Sequence, residues 1–311
     1  MRKSELVLLR LLFRFCAQFG VSSTVCALPQ NTRLKPLGQH PQRLGRQARF
    51  ERLLRLALDR GEFSLVYQPQ IDARTGCMVG VEALIRWSSP DLGPISPVQF
   101  IPIAEETGLI VQLGNWVLET ACAQLTEWAQ KPDMAILTIA VNVSARQFRA
   151  ESFVDDVLNV LKLTGANPKR LKLELTESLL VSNVEDVIKK MNALKAVGLG
   201  FSLDDFGTGY SSLSYLKRLP LDQLKIDQGF IRDVLVDPDD AAIAKMVVAL
   251  ADTMGLAVIA EGVEMEAQRD FLARHGCHSY QGYLFGRPMP VTEFEHWAAS
   301  RTASQDETHS T

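Results

Sequence analysis

The sequence predicts an α/β protein whose strands close into one (β/α)₈ barrel. Strand-like apolar segments alternate with helical segments over eight repeats, which favours a barrel over an open sheet. The 311 residues suggest about two domains by length alone, but a single barrel of about 250 residues fits equally well. With 47% hydrophobic and 22% charged residues, the composition is that of a globular protein with a large core.

Eight segments have the length and composition of strands. They are residues 63–68, 78–86, 135–142, 171–176, 200–204, 221–226, 256–260 and 279–281. A helix around Leu53 precedes the first strand and ends at Gly61. Later helices have start signals at Ser96-Pro97, Ser182-Asn183 and Asp237-Pro238, where a capping side chain precedes the first turn.

The two ends of the chain differ from this pattern. Residues 1–46 form a basic segment that we leave unassigned, and residues 33–45 contain two prolines and two glycines, as a linker does. The apolar stretch at residues 6–19 is interrupted by Arg10 and Arg14, so we expect no firm membrane association and leave open an amphipathic contact. Residues 47–300 are expected to form the barrel, and residues 301–311 a frayed polar tail.

Charge and cysteine content exclude several classes of protein. Residues 1–49 carry nine Lys or Arg and one acid, a balance of +8, so the total of −3 leaves −11 for the remainder. An acidic body argues against a broad nucleic-acid surface. Five cysteines without a CxxC pair indicate a reducing compartment, and we expect the cytoplasm. The five histidines show no zinc-binding spacing.

Polar residues recur on one face of the predicted strands. Successive strand residues point to opposite sides, so in residues 171–176 three leucines share the helix-facing side and Lys172, Glu174 and Thr176 share the inner side. The same alternation gives inward polar groups near the strand ends, where barrel enzymes build their active sites. These groups are Gln68, Glu82, Arg86, Asn142, Glu174, Asp204, Lys225, Asp227, Glu261 and Gln281.

Two adjacent carboxylates, Asp204 and Asp205, end one of these strands just before Gly207 and Gly209. Neighbouring carboxylates repel each other unless a cation or a shared proton offsets the charge, and oxygen ligands favour Mg²⁺ or Mn²⁺. The alternative is an Asp-rich turn that caps the next helix. Lys225 could pair with one inward Glu, or form a Schiff base as in barrel aldolases, but one lysine cannot neutralise five acids.

Taken together, these motifs resemble the EAL-domain family of cyclic di-GMP phosphodiesterases over residues 47 to 297. The motifs that carry the resemblance are Tyr67-Gln68-Pro69, Glu82-Ala83-Leu84 with Arg86-Trp87, Asn142-Val143-Ser144, Glu174-Leu175-Thr176-Glu177, Asp204-Asp205-Phe206-Gly207-Thr208-Gly209, Lys225-Ile226-Asp227, Glu261-Gly262-Val263-Glu264 and Gln281-Gly282-Tyr283. The resemblance implies a modified TIM-type barrel with one antiparallel strand.

The resemblance also implies an activity and a site. The activity is hydrolysis of cyclic di-GMP to linear pGpG with two Mg²⁺ or Mn²⁺ ions. The implied ligands are Glu82, Asn142, Glu174 and Asp204 for one ion, and Asp204, Asp205 and Glu261 for the other. Lys225 and Glu261 would take part in catalysis, and Glu177 would brace the loop after Asp205. The implied substrate contacts are Gln68, Leu84, Arg86, Asp227, Glu264 and Gln281.

Two further expectations concern assembly and activity. The resemblance implies a homodimer joined near the loop after Asp205. The alternative to an enzyme is a catalytically silent cyclic di-GMP receptor or a protein-interaction module. Such a module normally lacks some of the ligands, and this sequence has the complete set.

Overall fold

The computed structural model describes residues 41–181, 183–207 and 213–308. Within them, ten strands are β1 Phe63–Asp72, β2 Met78–Ser89, β3 Gly93–Ile95, β4 Thr138–Val143, β5 Leu171–Thr176, β6 Gly200–Phe206, β7 Gln223–Ile226, β8 Ala257–Ala260, β9 Ser279–Tyr280 and β10 Met289–Pro290. The helices are α1 Pro41–Asp59, α2 Pro97–Thr107, α3 Leu109–Trp128, α4 Ala145–Arg149, α5 Phe153–Thr164, α6 Val184–Ala196, α7 Leu213–Leu216, α8 Gln228–Arg232, α9 Pro238–Met254, α10 Glu266–Arg274 and α11 Val291–Thr308.

Eight of the strands close into a barrel, as the sequence predicts. Strands β2, β4, β5, β6, β7, β8 and β9 pair in parallel in that order. Strand β1 closes the ring by pairing antiparallel with β2 on one side and β9 on the other. The expected single antiparallel strand is therefore confirmed, and it is β1.

Two short strands were not predicted. Strand β3 pairs antiparallel with β2, and β10 pairs antiparallel with β1. They contain only three and two residues and each includes a proline, Pro94 or Pro290. Segments this short show no periodicity, and proline is unfavourable inside strands, so propensity gives no signal for them.

The core lies between the barrel and its helices because the strands alternate in polarity. Leu171, Leu173 and Leu175 are buried on the outer side of β5, where they join a large apolar cluster with the surrounding helices. A second cluster gathers aromatic residues, among them Trp87 and Phe100, whose ring centroids lie 5.6 Å apart in an edge-on arrangement. The polar inner side of the strands is thereby left to form the site.

Both ends of the described chain are more helical than predicted. Helix α1 begins at Pro41, so the predicted linker is wrong for residues 41–45; proline is tolerated in the first turn of a helix. Helix α11 continues to Thr308, so the frayed tail is wrong for residues 301–308, which include good helix formers. Residues 1–40, with the apolar stretch at 6–19, lie outside the described residues, as do residues 309–311.

A helix that spans a membrane needs about 20 consecutive, mainly apolar residues. Among the residues that the structure describes, no helix is at once long and apolar enough to cross a bilayer.

Candidate active site

Acidic side chains from different strands meet at one end of the barrel. Glu82 comes from β2, Glu174 from β5, and Glu261 follows β8. Each offers a carboxylate oxygen, and these oxygens all lie within 4.8 Å of one another. The parallel strands end at a common edge, so residues far apart in the sequence converge there.

Lys225 on β7 lies at the centre of this acid cluster and is fully buried. Its Nζ is 2.5 Å from Glu261 Oε1, 3.2 Å from Asp204 Oδ2 and 3.8 Å from Glu82 Oε1, and it also donates to Glu174 Oε2. One ammonium therefore touches four carboxylates, where sequence reasoning had considered a pair with one Glu. With all groups ionised, these five side chains carry a net charge of −3.

The cluster shifts the pKa values of its own members. Burial, helped by the charges of Glu82 and Asp204 and opposed by Lys225, raises the pKa of Glu174 to about 8. Burial alone would lower the pKa of Lys225, but the carboxylates around it, Asp204 and Glu174 first, raise that pKa well above its ordinary value. Lys225 is therefore an ammonium at neutral pH, which argues against a Schiff-base nucleophile.

Asp205 reaches the site through an irregular backbone. In a regular strand, Asp204 and Asp205 would point to opposite sides, but Asp205 has φ 55° and the β6–β7 register shifts between Leu203 and Phe206. Asp tolerates this left-handed conformation better than most residues. The turn lets the Asp205 carboxyl hydrogen-bond with Asp227, and burial, with the nearby charges of Asp204 and Asp227, raises the pKa of Asp205 to about 7.

Glutamine side chains form a second network beside the acids. Gln281 Nε2 donates to Gln68 Oε1 at 3.0 Å and to Glu82 Oε2 at 2.5 Å, while Gln281 Oε1 accepts from Gln70 Nε2 at 3.0 Å. Asn142 Nδ2 donates to Glu82 Oε1 at 2.5 Å. Both oxygens of Glu82 are thus oriented by amide groups.

The donor set fits a hard divalent cation. It consists of carboxylate and amide oxygens, which Mg²⁺ and Mn²⁺ prefer. Glu174 Oε1 is buried and has no hydrogen-bond partner among the described residues, which is costly for a carboxylate oxygen unless a cation or a proton meets it. The excess of negative charge points the same way.

Other predicted site residues lie at the rim or on nearby turns. Leu84 and Arg86 of β2 are partly exposed, and burial lowers the pKa of Arg86 while Tyr283 and Glu82 oppose that shift. Asp227 caps α8 by accepting from the Gly229 backbone N–H at 2.8 Å. Glu264 is exposed in the turn before α10.

Glu177 is buried at the start of the 3₁₀ helix Glu177–Val181. Its predicted role stays a prediction, because residues 208–212 of the loop that it would brace lie outside the described residues.

Sequence reasoning did not single out two features of this end of the barrel. The Arg287 guanidinium lies 4.1 Å from the ring centroid of Tyr283, so a cation and an aromatic ring form part of the rim. The i, i+4 spacing of these residues was visible, but they lie in an irregular segment where spacing predicts no contact. Gln70 shares its strand face with Gln68, and that parity was an available signal.

The loops after β8 and β9 approach each other backbone to backbone. Val263 N–H donates to Gln281 O at 3.1 Å, and Gln281 N–H donates to Ala260 O at 2.9 Å. A Cβ built on Gly282 would lie 2.2 Å from Val263 O and 2.3 Å from Val263 N, so only glycine fits there. This contact fixes Glu261 relative to Gln281.

Comparison with known proteins adds to this geometry. A family profile described as the EAL domain matches residues 51–288. A bifunctional diguanylate cyclase/cyclic di-GMP phosphodiesterase of Pseudomonas aeruginosa, MucR, is 52% identical over 240 residues, which are 77% of this chain and 35% of that protein. The cyclic di-GMP phosphodiesterase PdeR of Escherichia coli is 42% identical over 244 residues, 78% of this chain and 36% of that protein. The chain thus spans about a third of these curated relatives.

Solved structures give the same result for the fold. A phosphodiesterase structure of MucR in complex with cyclic di-GMP matches with a TM-score of 0.76 and 50% identity, covering 79% of this chain and 99% of that one. The EAL domain of Mycobacterium smegmatis DcpA matches with a TM-score of 0.65 and 37% identity, covering 77% of this chain and 97% of that one.

Proposed function

Because the chain belongs to the EAL-domain family, we propose that it hydrolyses cyclic di-GMP to linear pGpG with two divalent cations, Mg²⁺ or Mn²⁺. The observation that carries this proposal is the gathering of four carboxyl groups around one ammonium at the end of the barrel. Buried charges cost several kcal/mol each unless they are paired, so the cluster is arranged for added positive charge.

The chain offers ligands for both cations. Glu82, Asn142, Glu174 and Asp204 would hold one ion. Asp204, Asp205 and Glu261 would hold the other, so Asp204 would serve both. When bound, divalent cations supply Lewis acidity toward water and toward phosphoryl oxygens.

The chain's own residues would bind the substrate and steady the reacting groups. The Lys225 ammonium would donate a hydrogen bond to the attacking water and favour its deprotonated form. As the water oxygen bonds to phosphorus, the bond from phosphorus to the 3′ oxygen breaks. The attacking water loses one proton to solvent and the 3′ oxygen takes one up from solvent, so one water is consumed and the protons balance. Arg86 can hold a phosphate through a bidentate contact. Further nucleotide contacts would come from Gln68, Leu84, Asp227, Glu264 and Gln281.

The test is direct incubation of the purified protein with cyclic di-GMP and Mn²⁺, followed by chromatography of the products. We expect pGpG, and we expect none from Glu261→Gln at equal concentration. If cyclic di-GMP remained intact with an equimolar amount of protein, under several divalent metals and pH values, the proposed phosphodiesterase activity would be wrong. Cyclic di-GMP binding in that same sample would then favour the silent receptor, and absence of binding the protein-interaction module.

We also propose that the protein forms homodimers and acts in the cytoplasm. Large apolar side chains are exposed at Tyr215 in α7, at Val236 just before α9 and at Met246 in α9, and a dimer interface formed by these segments would cover them. Light scattering should find a dimer at assay concentrations. Only monomers, together with full activity, would contradict a dimer that is coupled to the site.

A further inference from the structure

We propose that Gln70 is a positioning residue that sets the amide orientation of Gln281 and, through it, the carboxylate of Glu82 for cation binding. This inference deepens the proposed function and rests on it, since Glu82 is taken as a cation ligand. Gln70 lies on β1, the antiparallel strand, two residues beyond Gln68 on the same face.

The three side chains form a directed chain of hydrogen bonds. Gln70 Nε2 donates to Gln281 Oε1 at 3.0 Å, and Gln281 Nε2 donates to Glu82 Oε2 at 2.5 Å. The second proton of Gln281 Nε2 goes to Gln68 Oε1 at 3.0 Å. The amide of Gln281 therefore uses both of its donor protons and accepts one hydrogen bond.

The direction of this chain matters because a carboxylate only accepts hydrogen bonds. If the Gln281 amide turned over, its oxygen would face the oxygens of Glu82 and Gln68, and three acceptors would meet without a proton. The amide nitrogen of Gln281 would then face the Nε2 donor of Gln70. The Gln70 donor therefore favours the orientation that supplies protons to Glu82.

Burial makes this selection effective. Gln70, Gln281 and Glu82 are 2%, 4% and 5% exposed, so bulk water cannot readily replace a lost partner. Glu82 Oε1 is held separately by Asn142 Nδ2. With Gln281 turned over, Glu82 Oε2 would lose its amide donor, and the carboxylate would be held only through Oε1 by Asn142 and the nearby Lys225 ammonium, so its orientation toward a cation would be less well fixed.

The test measures Mn²⁺ binding by calorimetry, with no substrate present, for the wild type and for Gln70→Met, which keeps length and removes the donor. We expect Gln70→Met to weaken Mn²⁺ binding about threefold to tenfold, the effect of one buried hydrogen bond. Gln281→Met should weaken it about tenfold to a hundredfold, as for residues that orient metal ligands.

A double variant separates orientation from general packing. If Gln70 acts only through Gln281, then adding Gln70→Met to Gln281→Met should leave Mn²⁺ affinity unchanged within about twofold. The matched control is Gln223→Met, which alters another buried glutamine of the barrel interior, bonded to Lys172 and Ser202. It should lower thermal stability to a similar extent and leave Mn²⁺ affinity within about twofold of the wild type.

Several outcomes would overturn the inference. These are wild-type affinity in Gln70→Met, an equal loss of affinity in Gln223→Met, a full further loss in the double variant, or no Mn²⁺ binding by the wild type. Failure of the proposed function is a different result. If the wild type bound Mn²⁺ but left cyclic di-GMP intact, the proposed activity would be wrong. The inference about Gln70 would still be decided by the Mn²⁺ affinities of the variants.

Discussion

The two sides of the barrel interior stabilise their buried polar groups in different ways. On the charged side, formed by Glu174, Asp204, Lys225 and Glu261, one ammonium is surrounded by an excess of carboxylates. On the amide side, formed by Gln68, Gln70 and Gln281, neutral donors and acceptors are matched. The amide side is complete by itself, whereas the charged side needs cations or protons from solution.

Glu82 belongs to both sides. It accepts from the amide of Gln281 and lies 3.8 Å from the Lys225 ammonium. Under the proposed function, the two sides would have different tasks: the charged side would bind cations and take part in the reaction, and the amide side would orient Glu82, which contacts both sides. Substitution of Lys225 disturbs the charged side directly, whereas substitution of Asp205 or Glu177 disturbs the cation site proposed there, and in each case an added cation tests whether the defect is relieved.

The largest effect is expected from Lys225→Ala, which leaves four carboxylates without their common cation. Removing one partner of a buried ion pair costs roughly 3–5 kcal/mol, so urea unfolding in EDTA should show that loss. Mn²⁺ should restore stability but not turnover, because the donor to the attacking water is still missing. Lys195→Ala, which removes the partly exposed partner of Asp222, should cost at most about 1 kcal/mol. Turnover rescued by excess Mn²⁺ would contradict the role of Lys225.

Asp205→Asn is expected to separate binding from chemistry. Asn tolerates φ 55° and keeps the size of the side chain, so the fold should persist while one negative charge is lost. Turnover, followed by pGpG chromatography, should fall roughly a thousandfold, as when a main electrostatic group is lost. Cyclic di-GMP binding, measured by calorimetry, should remain. If the Asp205→Asn protein kept its turnover, Asp205 would not be a cation ligand.

A smaller effect is expected from Glu177→Ala, because Glu177 would act only by bracing the loop that follows Asp205. Cation affinity should fall about tenfold to a hundredfold, so raised Mn²⁺ should restore part of the turnover. The same titration on Lys225→Ala should restore none. The opposite pattern, with rescue of Lys225→Ala alone, would reverse the two assignments.

The smallest effect is a pH dependence of stability without metal. The pKa of Asp205 is raised from 3.8 to about 7, so its contribution to stability is present below pH 4 and is lost as the pH rises through 7. The melting temperature in EDTA should fall by a few degrees between pH 5 and pH 8, which corresponds to a loss of about 1–2 kcal/mol in the free energy of unfolding. Asp205→Asn should make this profile less steep and leave the part that comes from Glu174, whose pKa is raised to about 8. Mn²⁺ should raise the melting temperature more at pH 8 than at pH 5. A profile equally steep in both proteins would exclude Asp205 as its source.

The sequence predicted most of the fold because the strands of this barrel have short, regular apolar patterns. The segment at residues 171–176 matches β5 at both ends, since it alternates cleanly between leucines and polar residues. The antiparallel direction of β1 came only from the family resemblance. Alternation says which face a residue is on and nothing about strand direction.

The acid cluster was predictable in part. Alternation placed Glu82, Glu174 and Lys225 on the inner face, and the structure brings them together. The inward position of Asp205 depends on its positive φ, which no alternation rule contains. Gln70 was missed because it lies one residue beyond the Tyr67-Gln68-Pro69 motif, although it shares its strand face with Gln68.

The close contact at Gly282 affects how mutational scans of this region should be interpreted. An alanine there would push the loop of Gln281 away from the loop of Glu261, since its Cβ would lie 2.2 Å from Val263 O. Activity would fall although no reacting group had been removed. A scan that ranks positions by lost activity would therefore score Gly282, which only sets the distance between two loops, as if it were an active-site side chain. A structure of the variant would distinguish a displaced loop from the loss of a reacting group.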